Sequence, residues 1–212
     1  NIGFGPYDFM AGSSAYFHPN FLSMIDTTEV KLKEDDKETC YIYYRNCVLK
    51  ITANSVEEID YIDLDGFVWK RQIIDRDYVK ADHHDAVYRK FIWLISGQDK
   101  QRYNSFKSVI GYLMHSFKTS ANNKAIIFND ETISENPNGG SGKGLFWNAL
   151  KYMKKVSIID GKTFEFTKSF PYQTVSTDTQ ILVFDDVKKN FNFESLFSLI
   201  TEGITLEYKG QD

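Results

Sequence analysis

The chain has 212 residues, 42% hydrophobic and 25% charged, an ordinary globular composition with length for one domain or two small ones. Its net charge of -4 excludes a protein that coats DNA through bulk positive charge, so any nucleic-acid contact must be a local patch or a pore built by oligomerisation. No apolar run approaches the roughly 18 residues that span a membrane, and no signal peptide is visible.

Residues 1–20 are rich in Gly, aromatics and small polar residues and read as an extended lead-in. Glu34-Asp35-Asp36-Lys37-Glu38 reads as a solvated turn. Cys40-Tyr41-Ile42-Tyr43-Tyr44 and Val48-Leu49-Lys50-Ile51-Thr52 are β-prone, with Val56 to Tyr61 and Phe67-Val68-Trp69 as further candidate strands. Tyr41, Tyr43, Tyr44 and Arg45 have the chemistry to stack on bases, but a packed sheet explains them better. Cys40 and Cys47 lack zinc-like partners, so the expectation is two reduced thiols in a cytoplasmic protein. Asp63-Leu64-Asp65-Gly66 lacks the downstream glutamate of a calcium loop and reads as a turn.

Asp82-His83-His84-Asp85 raises the question of metal, but adjacent residues entering a helix point apart. Asp82 as a helix N-cap is the simpler reading. Val87, Phe91, Ile92, Leu94 and Ile95 follow helical spacing up to Gly97, and a second helix is expected from Gln101 to Phe117. A boundary is expected in the polar stretch near residue 120. This divides the chain into 1–120, short strands then a helix pair, and 121–212, a nucleotide-binding core.

That core is organised around Asn136-Pro137-Asn138-Gly139-Gly140-Ser141-Gly142-Lys143-Gly144-Leu145. Ala125-Ile126-Ile127-Phe128 precedes it as a buried strand should, and Phe146 to Met153 follows it as a helix should. A strand, glycine loop and helix in that order aim backbone N–H groups and a helix dipole at one point, which favours polyphosphate. The residues assigned to ATP are Asn138, Gly139, Gly140, Ser141, Gly142, Lys143, Gly144 and Leu145, with Lys143 reaching the β- and γ-phosphates. Pro137 replaces the first glycine of the general pattern. Gly144 replaces the Ser or Thr whose hydroxyl ligates Mg²⁺, leaving that position to water or to Ser141.

A strand is expected at Val156-Ser157-Ile158-Ile159-Asp160. Gln180-Ile181-Leu182-Val183-Phe184-Asp185-Asp186 is then an apolar run ending in two carboxylates, a Walker B arrangement. Asp185 would hold the Mg²⁺ shell and Asp186 would orient or deprotonate the attacking water. Phe193 to Ile200 reads as a helix, and Ile204 to Lys209 as a strand entering a hairpin.

The order and spacing of these motifs resemble a superfamily 3 helicase of the primase–helicase type, found in phages, large DNA viruses, plasmids and integrated elements. The glycine loop with Lys143, Phe184-Asp185-Asp186 downstream, and Leu199-Ile200-Thr201-Glu202-Gly203-Ile204 with Tyr208-Lys209 carry the resemblance. Arg45-Asn46-Cys47-Val48-Leu49, Asp75-Arg76-Asp77-Tyr78 and Val109-Ile110-Gly111-Tyr112-Leu113 resemble the region ahead of that core.

The resemblance implies an α/β P-loop NTPase of AAA-like kind, using ATP and Mg²⁺ to drive translocation on DNA. It also implies a homo-oligomeric ring, a hexamer, with a primase domain or partner. Lys209 is the implied DNA contact, with Lys188 and Lys189 as secondary ones. The sensor strand and arginine finger of such proteins would lie beyond Asp212, so this chain reads as a piece of a longer protein with weak ATPase activity of its own. Two rival functions share the features: a replication ATPase or loader that does not unwind, and a non-catalytic interaction module with a degenerate loop.

Overall fold

The computed structural model describes residues 20, 24, 30–82, 86–119, 121–130 and 140–207. The chain divides into two compact units, Asn1–Leu32 and Lys33–Asp212. Of the first, only residues 20, 24 and 30–32 are described.

The second unit opens with an antiparallel meander, β1 (Cys40–Tyr43), β2 (Val48–Ile51) and β3 (Val56–Ile59). Tyr43 faces Val48 across the first turn and Ile51 faces Val56 across the second. Because side chains alternate across a strand, β1 serves two layers. Ile42 and Tyr44 join the main core, while Tyr41, Tyr43 and Val48 pack with Ile59, Tyr61 and Leu64 on the other face. Burial on both faces explains why every residue of β1 is buried. It also confirms Tyr41, Tyr43 and Tyr44 as packed-sheet residues. Phe67-Val68-Trp69 is not a strand. The Phe67 carbonyl accepts from the Lys33 N–H at 2.8 Å, and the Trp69 carbonyl from the Gln72 N–H at 2.8 Å.

Helix α1 (Val87–Ile95) and helix α2 (Lys100–Met114) form the expected pair. The expectation for Asp82 is corrected: α1 starts after Ala86 with no side-chain cap. His83, His84 and Asp85 lie outside the described residues. The helix ends where the sequence indicates, at Gly97, whose φ of +66° is the left-handed geometry that glycine tolerates. Asp99 caps α2 by accepting from the Arg102 N–H at 2.7 Å.

Helix α3 (Lys143–Leu150) carries the centre of the core. Phe146 and Leu150 are 2% and 0% exposed. Phe146 meets Phe128 at 4.9 Å, Trp147 at 4.9 Å and Phe106 of α2 at 6.1 Å between ring centroids. Strands β4 (Val156–Asp160) and β5 (Ile181–Asp185) pair in parallel, with Asp160 opposite Asp185 at their C-terminal ends. Helix α4 (Leu196–Glu202) follows.

Two further expected strands do not form. Residues 125–128 take no regular secondary structure, and no ladder pairs them. Ile126 and Phe128 are partly covered while Ala125 and Ile127 are exposed, Ile127 at 63%. The apolar run therefore packs one face through Phe128 rather than being buried on both. Residues 204–207 are likewise not a strand. One buried cluster holds Ile42, Ile92 and Met114 together with Phe146, Leu150, Ile181 and Val183. The core thus runs continuously across the polar stretch near residue 120. Among the described residues no helix is long and apolar enough to cross a membrane.

Candidate functional site

Lys143 is the first residue of α3, and its approach is set by glycine. Gly140 has φ +75° and Gly142, the N-cap, φ +89°. A Cβ on Gly142 would come 3.0 Å from the Phe91 ring, so at this positive φ glycine lets the loop lie against α1 without strain or a shift of that ring. No side chain caps the helix N-terminus, and the first helical bond runs from the Phe146 N–H to the Gly142 carbonyl at 3.0 Å. An uncapped N-terminus leaves backbone donors free for an anion.

The Lys143 ammonium donates to Asp130 Oδ1 at 2.6 Å and to Ser141 Oγ at 2.9 Å. The Lys143 hydrogen bond, followed by that of the Ser141 hydroxyl, holds the Asp130 carboxyl below the usual carboxylate range. The cation expected to meet phosphate is thus held by a carboxylate of the chain itself.

At the ends of the parallel strands, Asp185 and Asp186 have different surroundings. The Asp185 carbonyl accepts from the Gly161 N–H at 2.6 Å, closing the turn after β4 against β5. Asp186 has φ +53°, an uncommon conformation for a non-glycine residue, and its carboxylate pairs with Lys162 Nζ at 2.5 Å. That carboxylate raises the Lys162 ammonium above its ordinary value. Asp160, opposite Asp185, is occupied differently. The Lys162 N–H and the Thr163 hydroxyl bind its two oxygens at 2.9 and 3.0 Å, which holds its carboxyl below the usual range.

Lys143, Asp130, Asp185 and Asp186 line one open cleft of about 1430 Å³. The segment Ala125–Phe128, the run from Gln180 to Asp186 and α4 form much of its wall. The other predicted residues stand elsewhere. Gly140, Ser141, Gly142, Gly144 and Leu145 are not part of the cleft lining, and Leu145 is 56% exposed. Lys188 and Lys189 are exposed and also outside it. Asn138, Gly139 and Lys209 lie outside the described residues.

The donor set fits a magnesium nucleotide in kind. Mg²⁺ is commonly held by one or two carboxylates plus phosphate oxygens, not by an all-protein cage. No group of three or more His, Cys, Asp or Glu side chains is placed to hold a metal among the described residues. Asp130 and Lys162, the two counter-ions, escaped the sequence reading. Nothing in local spacing marks Asp130, whereas Asp160-Gly161-Lys162 at a strand end was a visible signal for a turn beside the carboxylates.

No protein-family model matches the chain, and neither does any curated protein or solved structure.

Proposed function

We propose that the chain binds a magnesium nucleoside triphosphate in this cleft and is part of an ATP-driven DNA helicase of the superfamily 3 kind. The observation that carries the reading is that Lys143 and the Asp185-Asp186 pair line the same cavity. Lys143 and the uncapped α3 N-terminus would neutralise phosphate charge. Asp185 would take part in holding Mg²⁺, which when bound neutralises charge developing on the phosphates. Asp186 would orient or deprotonate the attacking water. In that reading hydrolysis needs a neighbouring subunit of a hexameric ring, DNA passes through the channel beside Lys209, and a primase activity accompanies the protein.

A second reading, a non-catalytic module with a degenerate loop, draws support from the ion pairs. Both Lys143 and Asp186 are already engaged, by Asp130 and Lys162. Calorimetric titration of Mg²⁺-ADP and a non-hydrolysable ATP analogue into the chain separates the two. Binding that disappears in Lys143→Ala supports the nucleotide site, and no binding by folded wild-type chain favours the second reading. Gly144 has nothing within 4 Å of an added Cβ, so Gly144→Ser has room for its Cβ and supplies the missing hydroxyl. If the nucleotide site is correct, that variant binds Mg²⁺-nucleotide more tightly than wild type.

A further inference from the structure

The same cleft is lined by two further lysines, Lys118 and Lys154, that the nucleotide reading does not use. Lys154, in the turn between α3 and β4, is only 6% exposed, yet its ammonium has a single hydrogen bond, to Ser116 Oγ at 3.4 Å. It forms no ion pair with any described carboxylate. Burying an ammonium group without a counter-charge is costly. Lys118 lies close enough to feel the Lys154 charge, and burial pulls its ammonium below the ordinary lysine value, with Asp35 offsetting part of that. Its own bonds go to neutral carbonyls, Tyr112 at 3.2 Å and His115 at 2.5 Å.

The nearby acid, Asp35, is committed elsewhere. Its Oδ1 accepts from the Tyr41 N–H at 2.8 Å and its Oδ2 from the Ser116 N–H at 2.7 Å. Each carboxylate oxygen therefore faces a backbone amide, and neither lysine is in ion-pair contact with it. Lys118, Lys154, Ser116 and Asp35 all line the cleft. Two ammonium groups against the one carboxylate of Asp35, whose charge the two amides do not cancel, leave a local excess of one positive charge beside the Ser116 hydroxyl.

We propose that Lys154, Lys118 and Ser116 form a binding site for a compact phosphate-type oxyanion, either inorganic phosphate or the phosphate of a monoester. The two ammonium groups and the Ser116 hydroxyl supply the donors for its oxygens. The site does not depend on the glycine loop, so it stands whether or not that loop binds nucleotide.

The test is titration of inorganic phosphate into the full chain, followed by the amide and side-chain resonances of Ser116, Lys118 and Lys154. Glucose 6-phosphate in a parallel titration distinguishes a monoester from the free ion. Saturable shifts at these residues are expected. They should weaken at least tenfold in Lys154→Met and in Lys118→Met, weaken less in Lys154→Arg, and persist in Lys143→Ala. Should Lys154→Met fail to fold, Lys118→Met and Ser116→Ala carry the same comparison. Absence of shifts in wild type overturns the site. So does a response that vanishes in Lys143→Ala but survives in the Lys118 and Ser116 variants, because phosphate would then bind only at the glycine loop.

Discussion

Lys162 Nζ lies 2.5 Å from Asp186 Oδ2, and this exposed pair ties the turn after β4 to the residue that follows β5. Removing the cation by Lys162→Met leaves Asp186 free to face a metal. If the cleft binds Mg²⁺-nucleotide, the variant binds it roughly two- to fivefold more tightly at low salt, with the gain shrinking as salt is added. Calorimetry at two salt concentrations reads both effects. The pair also has a defined pH dependence. Because the folded-state Lys162 value is raised, its contribution is fully present below the ordinary lysine value and is lost as pH rises through the folded one. Melting temperatures of wild type and Lys162→Met should therefore differ at neutral pH and converge in strong alkali.

Asp130 restrains Lys143 in a second ion pair. Its carboxyl is depressed by the Lys143 ammonium first and the Ser141 hydroxyl second. The contact is therefore complete at neutral pH and dissolves only as pH falls through the depressed value, below the ordinary aspartate range of about 3.9. Asp130→Asn removes the competing charge, so anion binding at the α3 N-terminus should strengthen severalfold. An unchanged affinity for Mg²⁺-ADP in a folded Asp130→Asn variant would mean that the ion pair does not gate the loop.

Glycines separate into those the fold needs and those it does not. A Cβ at Gly161 would sit 2.7 Å from the Asp185 carbonyl oxygen and 2.8 Å from the Val187 Cα, both backbone atoms that cannot swing away. Gly161→Ala should cost about 1–3 kcal/mol, in the range of other overpacked sites. Gly111, inside α2, has nothing within 4 Å of an added Cβ. Gly111→Ala should stabilise by about 0.5–1 kcal/mol through helix propensity. Urea unfolding of the two variants should move in opposite directions.

Phe146 joins α2, α3 and the segment at Phe128 through ring contacts of 4.9 to 6.1 Å. Phe146→Ala should destabilise the chain by about 3–5 kcal/mol. Because Phe146 lies one turn after Lys143, nucleotide binding should weaken with it. Leu145→Ala serves as the control, since Leu145 is 56% exposed and its loss should cost little.

Cys40 offers a check on the sheet. Burial first, and the Asp35 charge second, push its thiol up to about 11. Its sulfur contacts the Met114 carbonyl oxygen at 3.2 Å. A thiol reagent at pH 8 should leave Cys40 unmodified in the folded chain and modify it in denaturant. Rapid modification of the native protein would place β1 outside the core.

Much of the local structure is legible in the residues. Alternating β-prone runs separated by Arg45-Asn46 and Asn54-Ser55 become the meander, and helical apolar spacing ending at Gly97 becomes α1. The glycines before Lys143 mark the turn into α3, and four apolar residues before Asp185 mark a strand that pairs in parallel. These signals are local, because propensity, periodicity and left-handed turns are fixed by residues a few positions apart. What covers each face depends on partners far along the chain. Ala125-Ile126-Ile127-Phe128 has the apolar run of a buried strand, but Phe128 is taken up by Phe106, Phe146 and Trp147 and no ladder forms. Likewise only the tertiary structure sets Asp130 against Lys143 and Lys162 against Asp186. An ion pair needs two charges within a few ångströms in space, and sequence spacing carries no record of that distance.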